Sequence, residues 1–441
     1  MTVLFIMCTI ITTCDKQSAG ETNKTDRSDN FTFSKKPSSR IVFLSTQMNP
    51  VEEAGKMRNV ILKDFPGEVD FRPNDSGFLN KQVNSSLQNN PSESILVGAL
   101  HGDLVTLYEE GNLRPLNEVY SGLVGRNFSE NLLMLGKLNG KDIYYIPWMQ
   151  ASFVVAVNKK ALKYLPEGAN LDELTYFQLY HWARKIFLKT GKRALGFPAG
   201  SKGLMHRFFQ GYLYPSYTGS TLLKFRGREA VEMWQFFKEM WQVVNPASLT
   251  YSTMADPLLA DDVWIAWDHT ARLAKAFEEK PDDFVAIPAP VGPKGRGFMP
   301  VISGLSIPKN VLAPDNPAML IDYLTQPVIQ NRTLKETGFF PLVISAEKSG
   351  GSPSLAELSR AVEKQSGSWN AIPTLLPIGL GERGTEYNSL FMLTFSDIVL
   401  GGGRISDVLN SNAKELQKII NATNARAWFP DSSKARPAQI E

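Results

Sequence analysis

The chain has 441 residues, of which 43% are hydrophobic and 21% are charged, and its formal net charge is +3. This composition is typical of a folded protein with room for about two or three domains, and it excludes a largely disordered chain. The small net charge gives no support to nucleic-acid binding, and no apolar run reaches the roughly 18–20 residues of a membrane-spanning helix.

The N-terminal segment has the pattern of an export signal. The apolar run from Val3 to Ile11 is too short to span a bilayer and is typical of the hydrophobic region of a secretory signal. Cleavage before Cys14 would leave this cysteine as the first residue of the mature chain, as in bacterial lipoproteins. We therefore predict a lipoprotein-type signal peptide over residues 1–13 and a lipid anchor at Cys14. The alternatives are an unlipidated secretory signal and a misassigned start codon.

The elements that follow alternate between strand and helix. Residues 14–39 are polar and predict a flexible tether, after which the apolar run IVFLS predicts a buried strand. A helix with apolar residues at helical spacing follows, and two further strands are predicted at VDF (69–71) and ILVGA (95–99). Strand–helix alternation of this kind is typical of a doubly wound α/β sheet.

The middle and the end of the chain extend this pattern. Two apolar strands, IYYIP and FVVAV, flank Trp148-Met149-Gln150, and residues 170–245 are mostly helical in pattern. VWIAW predicts a strand, and Asp268 stands at the N-cap position of the helix TARLAKAF. FVAIPAP and MPVISGLSI predict further strands, and the last part of the chain is helical again.

The order of these segments resembles extracellular solute-binding proteins of family 1, the carbohydrate receptors of bacterial ABC importers. ILVGALHGDLVTLYEEGNLRPLNEVY is similar to the family's third strand and following helix. FVAIPAPVGPKGRG followed by VISGLSIPKN resembles its "apxPxGPxG" turn and "GxxIPK" strand, and TGFFPLVISA resembles its "GYLPxRxSA" segment. The matching landmarks extend over residues 41–427.

The resemblance implies a two-lobed fold of the type II periplasmic-binding class, with three passages of the chain between the lobes and a ligand cleft between them. By analogy the passages lie near Ala151–Ser152, near Pro288–Gly297 and near Leu324–Pro327. The resemblance implies that residues 40–151 and 290–325 form lobe one, that residues 152–289 and 326–427 form lobe two, and that residues 428–441 form a C-terminal tail.

The stretch VWIAWDHTAR contains the residue types that hold a sugar. An indole ring covers the apolar face of a sugar, while carboxylates, imidazoles and guanidinium groups bond its hydroxyls. We therefore expect Trp267 to be a stacking platform, Asp268 and His269 to bond hydroxyls, and Arg272 to orient the Asp268 carboxylate. In the alternative interpretation, Trp267 is a core residue and Asp268 only caps a helix.

Further candidates lie where the resemblance places cleft-facing segments, or after predicted strands, where open α/β sheets bind ligands. The expected ligand-binding residues outside VWIAWDHTAR are Gln47, His101, Trp148, Gln150, Ser303 and Glu382.

Cofactor and metal motifs are weak or missing in the sequence. GLGERG (379–384) has the form G-x-G-x-x-G, but Pro373 and Pro377 interrupt the strand that a dinucleotide site needs before it. GPKGRG (292–297) lacks the Gly-Lys-Ser/Thr ending of a phosphate loop. The four histidines have no metal-ligand spacing, and we predict neither a metal nor a cofactor.

These observations predict an exported, membrane-anchored and monomeric receptor, not an enzyme, that captures a sugar or oligosaccharide by lobe closure. Its partners would be the sugar, the membrane subunits of an ABC importer and the membrane itself, with no nucleic acid. The alternatives are a receptor for a non-sugar solute, a sensor that presents its ligand to a signalling protein, and a glycoside hydrolase, which needs two carboxylates about 5–10 Å apart.

Overall fold

The computed structural model describes residues 36–47, 51–89, 93–128, 130–138, 140–344, 353–431 and 435–441. The predicted signal peptide, Cys14 and most of the predicted tether lie outside the described residues. The described strands, in chain order, are β1 Ile41–Ser45, β2 Val69–Pro73, β3 Ser94–Leu100, β4 Asn127–Phe128, β5 Ile146–Ala151, β6 Phe153–Asn158, β7 Leu195–Gly196, β8 Ile265–His269, β9 Phe284–Ile287, β10 Arg296–Phe298, β11 Val301–Ser306, β12 Phe340–Pro341, β13 Val343–Ile344 and β14 Ala371–Pro373.

The α-helices of the described residues surround these strands, and short 3-10 and π segments extend or connect several of them. In chain order they are α1 Val51–Lys56, α2 Ser76–Asn89, α3 His101–Glu109, α4 Asn117–Gly122, α5 Glu130–Gly136, α6 Tyr176–Thr190, α7 Met205–Phe208, α8 Tyr214–Thr218, α9 Arg228–Trp241, α10 Ala255–Leu259, α11 Thr270–Glu279, α12 Asp315–Leu324, α13 Pro327–Thr337, α14 Pro353–Ser366, α15 Gly384–Phe395 and α16 Ile405–Thr423. None of the described helices combines the length and the apolarity that crossing a membrane requires.

The first lobe is built on a six-stranded sheet in the order β12-β5-β11-β3-β1-β2. Strand β1 pairs in parallel with both β2 and β3, whereas β11 pairs antiparallel with β3 and β5. All five residues of β1 are buried, as expected for a central parallel strand covered on both faces. The apolar runs IVFLS and ILVGA are both strands, as the sequence predicted, and they lie next to each other in this sheet.

The second lobe is built on a four-stranded sheet in the order β7-β8-β6-β9. Strand β6 pairs antiparallel with β8, so that Phe153 lies opposite His269 and Val155 lies opposite Trp267. Both faces of this sheet are covered by apolar clusters, one containing Val155 and Trp267 and the other containing Val154 and Ala266. The two short pairs β10-β14 and β4-β13 complete the described sheets.

Local sequence signals account for the helix ends of the second lobe. Helix α6 begins with a capping box, in which Thr175 and Gln178 satisfy each other's backbone N–H groups. It ends at Gly191, whose φ of 74° lies in the left-handed region that glycine adopts without strain. The buried residues Leu179, Trp182 and Ile186 follow helical spacing and face the lobe core.

The first passage between the lobes lies between β5, which ends at Ala151, and β6, which begins at Phe153. The second passage lies slightly later than expected. Strand β10 still pairs with β14 of the second lobe, and β11, which begins at Val301, belongs to the first sheet. Residues 290–298 therefore belong to the second lobe and not to lobe one.

The third passage is also later than the expected position near residues 324–327. Helix α13 and strand β12 remain with the first lobe, because Phe340 of β12 pairs with Gln150 of β5. The Gln330 side chain of α13 also donates a hydrogen bond to the carbonyl oxygen of Trp148, at 2.6 Å. Strand β13 pairs with β4 of the first lobe, whereas α14 packs against β9 of the second lobe. This boundary depends on long-range strand pairing, which local patterns along the chain do not reveal.

Candidate ligand-binding site

The lobes meet at the carboxyl end of β3, where His101 begins α3. The His101 side chain is 5% exposed, and its Nδ1 atom lies 2.8 Å from the hydroxyl oxygen of Tyr145. Its ring lies against Trp428 of the second lobe, with ring centroids 5.7 Å apart and planes inclined at 51°. Burial, aided by the charge of Arg426, lowers the pKa of His101 to about 4. His101 is therefore neutral near pH 7 and takes part in an aromatic contact between the lobes.

Two arginines next to Trp428 extend this contact. The Arg426 guanidinium lies over the Trp428 ring, with its Cζ atom 5.1 Å from the ring centroid. Arg426 and Arg436 both form ion pairs with Glu109 of the first lobe, with N–O distances of 2.5 and 2.9 Å. The segment after α16 thus joins the two lobes through one aromatic contact and two ion pairs.

A second contact between the lobes lies at the amino end of α2. Lys81 of α2 forms an ion pair with Glu382, one of the expected site residues. Gly77 lies so close to the same segment that a Cβ atom added to it would be 3.0 Å from the Glu382 Cα atom. Glu382 therefore lies at the junction of the lobes, where its carboxylate is paired with a lysine.

A third contact lies beside the first passage of the chain. The rings of His269 and Phe339 approach edge to face, with centroids 5.9 Å apart. Gly338, with a φ of 72°, brings its backbone within close range of Ala271 at the start of α11. Gln150, in the adjacent strand β5, is partly exposed, and no hydrogen bond of its side chain occurs among the described residues.

A polar network lies at the ends of β1 and β3. The Asp103 carboxylate accepts hydrogen bonds from the hydroxyls of Thr46, at 3.2 Å, and Ser76, at 3.0 Å. Gln47 is largely buried, and its Nε2 atom donates to the Thr46 carbonyl oxygen at 3.1 Å. Burial raises the pKa of Asp103 to about 6, although its hydroxyl partners oppose the shift. Gln47 is thus bound within its own lobe, and Asp103 is the acidic group at this edge of the sheet.

The structure places Trp267 in the core of the second lobe and corrects the expectation of an exposed stacking platform. Its side chain is 1% exposed, and its ring stacks on Phe153 with centroids 4.7 Å apart and planes inclined at 4°. Phe208 and Tyr212 contact it edge to face. Side chains alternate between the two faces of a strand, which predicts that Trp264 and Trp267 lie on opposite faces of the sheet. Because both faces are buried, this alternation does not show which residue faces a cleft.

Asp268 also has a structural environment that differs from the expectation. Its carboxylate is fully buried and accepts hydrogen bonds from the backbone N–H groups of Met254, at 2.9 Å, and His269, at 2.7 Å. Burial raises the pKa of Asp268 to about 7, with Arg272 opposing the shift. The N-cap of α11 is His269, whose Nδ1 atom accepts from the Ala271 N–H at 3.3 Å. Asp268 therefore ties the start of α10 to the end of β8 and is buried away from a ligand hydroxyl.

Arg272 does not orient the Asp268 carboxylate through an ion pair. Its Nη1 atom donates to the carbonyl oxygens of Ser252, at 2.9 Å, and Lys202, at 3.3 Å. Arg272 and His269 nevertheless lie close together, since the charge of Arg272 adds to burial in lowering the pKa of His269 to about 3. His269 is therefore neutral near pH 7.

Trp148 and Ser303 are buried within the first lobe, which corrects their expected places in the cleft. Trp148 belongs to strand β5, and its ring packs against Phe43 with centroids 5.5 Å apart. Ser303 donates a hydrogen bond to the Ala99 carbonyl oxygen at 3.2 Å, which ties β11 to β3. The segment Trp148-Met149-Gln150 lies within strand β5, and only its last residue is partly exposed.

The expected residues that the structure brings to the junction of the lobes are His101, Gln150, His269 and Glu382. Trp428 and Arg436 were not expected at this junction because residues 428–441 were predicted to be a C-terminal tail, and Arg426 was expected in lobe two without a role in the site. The available signal was the pair Trp428-Phe429 beside a proline, which is unusual in a polar terminal segment. Within the described residues, no group of three or more His, Cys, Asp or Glu side chains is arranged to hold a metal ion.

The family of the chain follows from a match to a family model. The model described as "bacterial extracellular solute-binding protein" matches residues 61–359, which is more than half of the chain. The chain belongs to this family. A search among curated proteins found no significant match. Bacterial extracellular solute-binding proteins are binding proteins that act outside the cytoplasm, so the junction of the lobes described above is the place to look for a solute.

Several solved structures share the fold of this solute-binding protein. The sugar-binding protein MalE from Xanthomonas citri is 16% identical with a TM-score of 0.66, and the match covers 86% of this chain and 97% of that one. The GacH receptor of Streptomyces glaucescens, studied with acarbose, is 15% identical with a TM-score of 0.62 and coverages of 86% and 98%. UgpB from Mycobacterium tuberculosis, solved with glycerophosphocholine, is 18% identical with a TM-score of 0.64 and coverages of 87% and 99%. At these identities the likeness establishes the two-lobed fold.

Proposed function

We propose that this solute-binding protein captures a sugar or oligosaccharide between its lobes and delivers it, unaltered, to the membrane subunits of an ABC importer. The observation that carries the proposal is the contact of His101 with Trp428, which places an imidazole and an indole from opposite lobes 5.7 Å apart. An aromatic ring with a polar edge suits the apolar face and the hydroxyl groups of a sugar. The names of the MalE and GacH receptors support the same class of ligand.

Capture proceeds by a shift between open and closed forms. The contacts His101–Trp428, Lys81–Glu382 and Glu109–Arg426 join the lobes, so they exist only when the lobes are closed. The Lys81–Glu382 ion pair is exposed and contributes only about 0–1 kcal/mol, so it does not hold the closed form alone. A ligand that forms contacts with both lobes stabilises the closed form and shifts the population toward it. Micromolar affinity corresponds to about 8 kcal/mol.

Thermal-shift measurements with a panel of neutral and acidic mono- and oligosaccharides test the proposal. A ligand that binds the native state raises the melting temperature in a concentration-dependent manner. We expect at least one saccharide to do so for the wild-type protein, and His101→Ala to weaken the response. The matched control is His181→Ala, because His181 packs against Phe177 and Tyr180 on α6. The proposal fails if no saccharide stabilises the protein.

A non-sugar solute is the second candidate, because UgpB, which shares the fold, was solved with glycerophosphocholine. The same screen with polyols, phosphodiesters and peptides distinguishes it from the first. Glycoside hydrolysis has less support. It needs an exposed carboxylate pair, whereas Asp268 is fully buried and bonded to backbone N–H groups and Glu382 is paired with Lys81. Stoichiometric binding without turnover is therefore expected.

Export and lipid anchoring complete the proposal. Cleavage before Cys14 and lipidation of this residue would hold the receptor at the membrane, beside the importer. Expression of the full chain in a bacterial host with and without Cys14→Ser tests this, by separating membrane and soluble fractions. We expect the wild-type protein in the membrane fraction and the variant in the soluble fraction. An identical distribution of the two proteins contradicts lipidation.

A further inference from the structure

The contact between His101 and Trp428 contains buried polar atoms that lack partners. Among the described residues, His101 Nε2, Trp428 Nε1 and Arg426 Nε are all buried without a hydrogen bond. The three side chains lie together, since the Trp428 ring contacts both the His101 ring and the Arg426 guanidinium. A buried polar atom without a partner costs about 1–3 kcal/mol, so three at one place indicate a missing partner.

The chemical character of these atoms limits what the partner can be. An indole Nε1 and a guanidinium Nε are donors only, so Trp428 and Arg426 both require an acceptor oxygen. Glu109 supplies a carboxylate to this cluster, and it already accepts from Arg426 and Arg436 through their terminal nitrogens. Two cations and one anion leave the cluster with a net positive charge. A guest group rich in acceptor oxygens and negatively charged would match it.

Two other cationic side chains of the second lobe also favour an acidic guest. Arg207 and Arg272 both lie near His206, whose pKa is lowered to about 3 by burial and then by these two charges. Within the part of the chain that the structure describes, Arg207 donates to the side-chain oxygens of Gln210 and Asn388, and neither arginine forms an ion pair. The next residue before Arg272, Ala271, contacts Gly338 of the first lobe, so this pair lies beside a junction of the lobes.

We infer that the guest carries an acidic group, a carboxylate or a phosphate or sulfate ester, which is received by the donor cluster of Trp428, Arg426 and His101. This inference rests on the proposed function and specifies its ligand as an acidic carbohydrate. The segment after α16 supplies the two donor side chains of the second lobe, and β3–α3 supplies the histidine of the first. The acidic group accepts hydrogen bonds from the indole and the guanidinium and neutralises the surplus charge.

Matched pairs of acidic and neutral saccharides test the inference. The probes are trigalacturonate with its methyl ester, for a carboxylate, and glucose-6-phosphate with glucose, for a phosphate ester. Binding is measured by calorimetry and thermal shift on the mature chain. We expect the acidic member of at least one pair to bind at least about tenfold more tightly than its neutral member, as one charge-assisted hydrogen bond implies. Added salt should weaken the acidic member's binding.

Two variants locate the binding. Trp428→Phe removes the indole donor but keeps an aromatic ring, and Arg426→Gln removes the charge. Each variant should bind the acidic probe about tenfold or more weakly than the wild-type protein does, while its affinity for the neutral probe should change much less. The matched controls are Trp369→Phe and Arg228→Gln, since Trp369 is 90% exposed and Arg228 lies on the exposed surface of α9. The controls should bind like the wild-type protein.

The outcomes separate this inference from the proposed function. If neutral saccharides bind as tightly as their acidic counterparts, the inference is overturned and the proposed function stands. If an acidic probe binds the wild-type protein, Trp428→Phe and Arg426→Gln equally, the cluster is not the site and the inference is likewise overturned. If no saccharide of either kind binds, the proposed function fails together with the inference.

Discussion

Phe153 and Trp267 stack face to face across strands β6 and β8, with ring centroids 4.7 Å apart. This pair makes Trp267 a structural residue, and its replacement should act on stability. We expect Trp267→Ala to lower the free energy of unfolding by about 3–5 kcal/mol, because it leaves a large cavity in the core. Chemical denaturation measures the effect. Trp369→Ala, at a position that is 90% exposed, should change it by no more than about 0.5 kcal/mol.

Asp268 should make the protein less stable as the pH rises from about 4 to about 7. Burial raises its pKa from 3.8 in the unfolded chain to about 7 in the fold, so between these values the folded state holds more protons. The free energy of unfolding falls as the pH rises wherever the folded state binds more protons than the unfolded state. The buried histidines, whose pKa values are lowered, act in the opposite sense in the same range.

Comparison with Asp268→Asn isolates this contribution, since the histidines are common to both proteins. Asparagine keeps only one of the two side-chain oxygens that accept hydrogen bonds from backbone N–H groups. The variant should therefore have a lower free energy of unfolding than the wild-type protein. The difference in free energy of unfolding between the wild-type protein and the variant should be largest near pH 4 and should shrink toward pH 7. Denaturation at three pH values checks this. A deficit that is constant with pH would show that Asp268 does not titrate in this range.

The Lys81–Glu382 ion pair should favour the closed form. Lys81→Glu places two carboxylates together across the junction, and we expect the open form to be more populated without ligand. The radius of gyration from small-angle X-ray scattering should then increase. The charge swap Lys81→Glu with Glu382→Lys should restore the compact value, because attraction is regained. Since the pair is exposed, the change in free energy should be only about 0–1 kcal/mol.

Gln150 should affect ligand binding more than stability. Its side chain is partly exposed beside the first passage of the chain, and Gln150→Ala should weaken saccharide binding about tenfold while changing stability by no more than about 0.5 kcal/mol. Gln330→Ala is the matched comparison, because Gln330 donates to the carbonyl oxygens of Trp148 and Leu324. We expect that variant to be destabilised instead. If Gln150→Ala instead lowered stability and left saccharide binding unchanged, Gln150 would have a structural role and not a binding role.

The sequence alone predicted the class of fold and most central elements. Continuous apolar runs such as IVFLS are typical of strands buried on both faces, and helix caps such as Thr175 and Gly191 are local signals. These features depend on interactions between near neighbours, which the order of residues determines directly.

The tertiary structure decided which polar and aromatic residues meet. Trp267 and Asp268 have the chemistry of a sugar site, but both faces of their sheet are covered, so alternation along the strand does not tell core from cleft. Trp428 reaches His101 only because α16 returns the end of the chain to the first lobe. Contacts between residues so far apart depend on how whole elements pack, and no local pattern encodes that packing.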